Sequence, residues 1–185
     1  MLTPQQKAQK WIDESALILD TETTGLDSNA EIVEISIIDC TGTVLMDTLI
    51  KPTHPIPADA TRIHGITNES VASAPTWPEV TGQFQKIVQG RTLVIYNADY
   101  DLRIINQTNV KHSWPIMPLD AECAMLAYAE FYGEWDDYRN KFKWQRLGSA
   151  AAQQGVVIEG EAHRALADCR MTLGIIEAMA AGGKK

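Results

Sequence analysis

Thiols are scarce in this chain: the three cysteines, Cys40, Cys123 and Cys169, are odd in number, widely spaced and form no C-x-x-C pair. That excludes a disulfide frame and a zinc finger, and it fits free thiols in a reducing compartment. No apolar stretch approaches the roughly 18 residues that cross a bilayer. The opening Met-Leu-Thr-Pro-Gln-Gln-Lys has no apolar secretory core. A cytoplasmic protein without a membrane partner is expected. Neither G-x-G-x-x-G nor a Walker loop occurs, which counts against a nucleotide-cofactor enzyme. Basic charge is short as well, with 16 Lys and Arg against 24 Asp and Glu and a net charge of −8. Broad, non-specific grip on nucleic acid relies on the opposite balance. Nucleic acid stays open as a substrate, because metal cations in an acidic cleft can meet a phosphate.

What is present is an ordinary globular composition, 45% hydrophobic and 22% charged over 185 residues. One domain over residues 1–185 is expected, with an N-terminal helix in 1–14 and a frayed tail at 182–185. Thr3-Pro4 reads as the capped start of that helix. Ala16 to Leu19 reads as a buried strand ending at Asp20, and residues 31–39 form a β-branched, roughly alternating run. After the turn at Thr41-Gly42, Val44 to Ile50 returns as a third strand, a meander. Pro52, Pro55 and Pro57 mark an irregular crossing. Residues 78–89 read as a helix, Thr92 to Tyr96 as the fourth strand, and Ala98 to about Gln107 as a helix capped by Asn97. A short strand at Ile116–Leu119 is expected before Asp120, read as the cap of a helix over Ala121–Phe131. Helices near 144–154 and 163–180 complete the chain. Antiparallel strands followed by alternating strands and helices predict an α/β domain with a mixed sheet flanked by helices.

Four carboxylates and a histidine stand in three clusters: Asp20-Thr-Glu22, Asn97-Ala-Asp-Tyr-Asp101 and His163-Arg-Ala-Leu-Ala-Asp168. Each lies where a strand ends or a helix begins, so distant parts of the chain can meet in one cleft. On a strand, Asp20 and Glu22 share a face about 7 Å apart. Asp120-Ala-Glu122 repeats the spacing but reads as a helix cap and a surface acid. Asn97 and Asp101 fall in one first turn, where an acid also gains from the helix dipole. His163 and Asp168 would lie about 140° apart on a continuous helix. They share a site only if His163 stands on a loop before it, which Glu159-Gly160-Glu161 favours. Four acids in one cleft repel unless cations hold them, and hard Mg²⁺ or Mn²⁺ suits oxygen ligands. A histidine without thiolates nearby fits a general base. Two-metal phosphodiester hydrolysis uses this set.

In order and spacing, Asp20-x-Glu22, Asn97-x-x-x-Asp101 and His163-x-x-x-x-Asp168 resemble the three motifs of the DnaQ-like 3′–5′ exonucleases, DEDDh branch. The resemblance runs over about residues 15–180 and takes in Asp20-Thr-Glu-Thr-Thr-Gly25, Ile63-His-Gly-Ile-Thr67 and Leu147-Gly-x-x-Ala. It implies a ribonuclease-H-like fold with a five-stranded sheet whose first three strands are antiparallel. It implies that Asp20, Glu22, Asp101 and Asp168 hold two Mg²⁺ or Mn²⁺ ions, with His163 taking a proton from the attacking water. Thr21 to Leu26 would line the pocket of the 3′-terminal nucleotide, Thr21 and Thr23 within it and Leu26 against a base. Asn97 and His64, the latter read as a turn residue at the substrate edge, are further candidates for contact. The chain departs from the His-Asn common in relatives by carrying Tyr96-Asn97.

Between the second and third motifs, Trp135, Tyr138, Phe142 and Trp144 alternate with Arg139, Lys141, Lys143 and Arg146. Aromatics among cations can stack bases and meet phosphates, which makes Trp144 a candidate substrate contact. The competing reading has these aromatics in the core and the cations solvated. The expected activity is release of nucleoside 5′-monophosphates from 3′ ends of single-stranded DNA, by a monomer or a homodimer. The rivals are the same chemistry on RNA, as in ribonuclease T or oligoribonuclease, and a nucleic-acid-binding module without catalysis. A proofreading subunit is disfavoured because no polymerase-binding tail is evident.

Overall fold

The computed structural model describes residues 1–157 and 163–183. Its centre is a five-stranded sheet of order β3-β2-β1-β4-β5. The strands are β1 (Leu17–Thr23), β2 (Ile32–Asp39), β3 (Val44–Leu49), β4 (Leu93–Ile95) and β5 (Ala121–Cys123). β1 pairs antiparallel with β2 and β2 with β3, while β1/β4 and β4/β5 are parallel. This is the mixed sheet expected, with the first three strands antiparallel. β2 is buried on both faces through Ile38, so its Ile and Val residues fall on both faces and the alternation expected of it is incomplete.

Helices cover both faces. Trp11 of α1 (Pro4–Asp13), Tyr128 of α5 (Ala124–Tyr132), Ala150 of α6 (Leu147–Gln154) and Ile175 of α7 (Ala165–Ala180) pack on Ile18, Ile38 and Val94. On the other face Trp77 and Phe84 of α3 (Trp77–Val88) and Ile104 and Ile105 of α4 (Ala98–Lys111) pack on Leu17, Leu19, Ile35, Ile37 and Ile95. α1 starts where the sequence places it, through a capping box: Thr3 Oγ1 accepts from the Gln6 amide and Gln6 Oε1 from the Thr3 amide.

The differences from the sequence reading are local. A short helix α2 (Ala58–His64) follows the Pro52–Pro57 crossing, where the sequence pattern does not announce one. Residues 116–119 form no strand; Pro115 and Pro118 have no amide hydrogen, and the Met117 amide donates to Asn106 Oδ1. The fifth strand lies instead at Ala121–Cys123, and α5 begins only at Ala124. Asp120 is therefore no helix cap; its carboxylate accepts from Thr92 Oγ1 at 2.7 Å. Glu122, on β5, pairs with Lys10 at 3.7 Å as a surface acid. Pairing beside β4 overrides the helical propensity that Ala121–Cys123 shares with the residues of α5. The 135–146 segment contains a hairpin, β6 (Trp135–Asp136) with β7 (Lys141–Phe142), before α6 starts at Leu147. The loop read at Glu159–Glu161 and the end of the tail, residues 184–185, lie outside the described residues.

Candidate active site

β1 and β4 are parallel and end on the same side of the sheet, where open α/β sheets place their ligands. β1 runs past β4 and carries Asp20 and Glu22 beyond its end. β4 leads through Tyr96 and Asn97 into α4, whose first turn carries Asp101. α7 packs over β1 and β2 and brings Asp168 in its first turn. Asp20, Glu22 and Asp168 each present a carboxylate oxygen within 4.8 Å of the other two. Asp101, buried, stands beside this trio with its Oδ1 accepting from Thr21 Oγ1 at 2.7 Å.

Burial and mutual repulsion disfavour the ionised form of all four. Asp20 is driven well above the usual carboxylate range, by burial first and then by Asp101, Asp168 and Glu22. Glu22 is pushed up to about 9 by burial and then by Asp168, against an opposing pull from Arg164. Asp101 rises to about 7 by burial, with the Thr21 hydrogen bonds resisting, and Asp168 to about 6 by burial, with His163 resisting. Asp168 Oδ1 is buried and has no hydrogen-bond partner among the described residues. An orphaned carboxylate oxygen inside an all-oxygen cluster fits a hard divalent cation.

These raised values carry a prediction for the metal-free protein. A folded-state pKa above the unfolded one stabilises below the unfolded value and loses that stability as pH rises through the folded value. With Asp168, Asp101 and Glu22 at about 6, 7 and 9, the melting temperature in EDTA is expected to fall between pH 6 and 9. Mg²⁺ should restore it, more at pH 8.5 than at pH 6. A flat profile in EDTA would show that the acids are not held this close.

Two cavities flank the acids. The first, of about 570 Å³, is lined by Thr21 to Asp27 with Ile63, His64, Asn97 and Tyr100. Leu26 and Ile63 stand on it exposed, at 80% and 61%. Its lip, residues 24–31, is fastened by one face of α4. Tyr100 donates to the Gly25 carbonyl, Arg103 to those of Leu26 and Asp27, Gln107 to those of Asp27 and Ala30, and Lys111 to that of Asn29. Thr23 Oγ1 shares a 2.6 Å hydrogen bond with the Tyr100 hydroxyl. The second cavity, of about 560 Å³, is lined by Trp144 to Ser149, Tyr96, His163 and Asp168. A third, around Arg91 and Asp120, opens at the opposite end of β4, away from the acids.

The candidates named from sequence thus fall in one region, with corrections. His163 stands before α7, with φ of +62°, so it shares a cavity with Asp168 despite their spacing. Asn97 occupies the N-cap position of α4 but makes no side-chain capping bond; its backbone is left-handed, φ +73°, and its side chain borders the first cavity. His64 is the last residue of α2, not a turn residue, and is buried. Its Nδ1 accepts from the Ile66 amide, which leaves Nε2 to donate to the Thr23 carbonyl at 3.2 Å. Both ring nitrogens are therefore engaged within the protein. The aromatics of the hairpin segment are not core: Trp135, Tyr138 and Trp144 are exposed. Lys143 pairs with Glu134 and Arg139 with Asp136. The sequence assigns no role to Ile63, Tyr100, Arg103, Glu34 or Arg164, although three of them stand inside its motifs. Glu34 left one signal, a lone acid inside the β-branched run of β2.

Comparison with known proteins gives the family. The RNase T-type exonuclease family model matches residues 17–176, and the exonuclease family is dependent on divalent metal. The chain is 50% identical over 187 residues, 98% of its length and 96% of the other, to uncharacterized exonuclease CP81 of Escherichia phage 186. It is 30% identical over 167 residues, 88% of this chain and 74% of the other, to DNA polymerase III subunit epsilon of Treponema pallidum. Among solved structures, Exonuclease X in complex with 5′ overhanging duplex DNA superposes with a TM-score of 0.68 at 27% identity, covering 90% of this chain and 92% of that one. The chain belongs to the DnaQ-like exonucleases, hydrolytic nucleases built on a ribonuclease-H-like fold.

Proposed function

We propose that this exonuclease hydrolyses the terminal phosphodiester bond at 3′ ends of single-stranded DNA and releases nucleoside 5′-monophosphates. The observation that carries the reading is the placement of the acid cluster between two cavities, each at the scale of a single small ligand. A chain end fits the first cavity. The base packs between Leu26 and Ile63, and Thr21, Thr23 and Asn97 stand along the sugar. The rest of the strand leaves past His163 and Trp144. Asp20, Glu22, Asp101 and Asp168 would hold two Mg²⁺ or Mn²⁺ ions. When bound, these cations neutralise the carboxylates, make water acidic enough to attack near neutral pH and stabilise the leaving 3′ oxygen. His163 accepts the proton of the attacking water at its imidazole. The relative named as a DNA polymerase III subunit and the neighbour in complex with DNA support DNA as the substrate. No helix among the described residues is long and apolar enough to cross a membrane, and a cytoplasmic setting accords with the free thiols.

The test is digestion of matched DNA and RNA oligomers carrying a 5′ label. The expected outcome is a ladder shortened from the 3′ end, mononucleotide products, faster loss of DNA than RNA, and complete arrest by EDTA. Release of the labelled end first, or internal cuts, would overturn the polarity. Faster loss of RNA would overturn the substrate.

Trp144 supplies a second expectation. It is half exposed, at 52%, on the cavity that holds His163 and Asp168. Base–aromatic stacking is worth about 1–3 kcal/mol per base, so Trp144→Ala should weaken oligonucleotide binding roughly 5- to 100-fold. Hydrolysis of the p-nitrophenyl ester of thymidine 5′-phosphate, which lacks the penultimate nucleoside, should be unchanged. An equal loss on both substrates would place the tryptophan's effect in the catalytic centre or the fold, not on the strand.

A further inference from the structure

We infer that Glu34 and Arg164 form a clamp whose task is to position His163. The inference rests on the proton-accepting role proposed above for that histidine.

Glu34 lies in the middle of β2 at 3% exposure, with Val33 and Ile35 fully buried on either side. A carboxylate in such a place costs stability unless it is paired and hydrogen-bonded. Its partners come from a segment 130 residues later. Arg164 Nε lies 3.1 Å from both carboxylate oxygens, and Arg164 Nη2 makes a closer contact with Oε1. The Ala165 amide donates to Oε2 at 2.9 Å. Both oxygens are thereby taken up by the start of α7, which sets Glu34 apart from the acid trio although its charge is felt there.

The two residues that Glu34 grips directly follow His163. His163 has φ of +62°, a left-handed backbone that costs an L-residue with a side chain roughly 1–2 kcal/mol. Such a conformation persists only where its surroundings over-determine it. On one side the Arg164 carbonyl accepts from the Asp168 amide at 3.0 Å, which holds the segment to the first turn of α7. On the other, Glu34 fixes Arg164 and Ala165 to the sheet. An apolar side chain at position 34 would fill β2 equally well, and replacing a buried ion pair by packed apolar groups is often neutral for stability. What it could not do is tie this backbone to the strand next to the one that carries Asp20 and Glu22. The clamp thus fixes the histidine relative to the acids through the sheet.

The experiment combines kinetics with a direct view of the ring. Misplacement of a catalytic group by about 1 Å can cost about 10²-fold. Glu34→Gln is therefore expected to lower kcat at least about tenfold, with KM for an oligonucleotide within about twofold. In a His163→Ala background the same substitution should change kcat less than about twofold, because groups acting as a unit are not additive. In ¹⁵N-histidine spectra, the His163 imidazole signals, assigned by their loss in His163→Ala, should shift or broaden in Glu34→Gln. Arg164→Lys, which keeps the charge beside Glu34 but not the planar fork, should move the same signals to a smaller extent and serves if the glutamine variant does not fold. Unchanged imidazole signals, or an equal kcat loss in both backgrounds, would overturn the clamp. Full activity of His163→Ala would overturn the proton-accepting role alone, since the spectra report position whatever the histidine does.

Discussion

Asp20→Asn is expected to lower nuclease turnover by at least about 10³-fold, since a bound cation contributes several kcal/mol and each 1.36 kcal/mol is tenfold. Asp20 is the natural place for the largest effect. It sits on the strand between the two cavities, shares the trio with Glu22 and Asp168, and is also raised by Asp101. The asparagine keeps the shape and one acceptor but removes the charge. The fold should not suffer. Asp20 is repelled by Asp101, Asp168, Glu22 and Glu34, so neutralising it relieves strain in the metal-free protein. The variant should melt in EDTA at pH 8 no lower than the native chain and should lose the gain from added Mg²⁺. Near-native turnover with Mg²⁺ would mean that the metal centre is elsewhere. A melting temperature several degrees lower in EDTA would mean that Asp20 is structural.

That pairing of activity loss with unharmed stability comes from the nature of such a site. β1 could end in any polar residues and still pack through Leu17 to Leu19. The acids beyond it are held together by the sheet against their own repulsion. This is why the chemistry could be read from residue types alone: carboxylates at the ends of apolar runs are costly, and their order along the chain is a strong pattern. The sheet was legible for a related reason. β2 is rich in Ile and Val, Thr41-Gly42 marks a turn after it, and the Val44–Leu49 return is the simplest continuation. β5 was not legible, because Ala121–Cys123 has no strand signal of its own and is made a strand by β4 beside it. α2 was hidden behind three prolines. Asn97 kept its place at the head of α4 but not the bond expected of it, since the left-handed backbone turns its side chain to the cavity. The clamp of Glu34 on Arg164 joins residues 130 apart in sequence, and the packing of α7 over β1 and β2 brings them to one place.

His163→Ala is expected to lower kcat about 10²- to 10⁴-fold, the usual worth of a general base, with KM for an oligonucleotide little changed. An imidazole can accept a proton near neutral pH, and among the described residues His163 is the histidine on the cavity with Asp168. His64 is engaged on both ring nitrogens, and His54 and His112 lie beside Glu31. None of these three can substitute without moving. The carboxylates that would hold metal are untouched by the change, so the Mg²⁺-dependent rise in melting temperature should survive in the alanine variant. It should be lost in Asp20→Asn. The two variants therefore separate along different measurements: one loses turnover and the metal response, the other turnover alone. A loss below roughly fivefold for His163→Ala would be too small for a general base and would assign proton transfer to solvent.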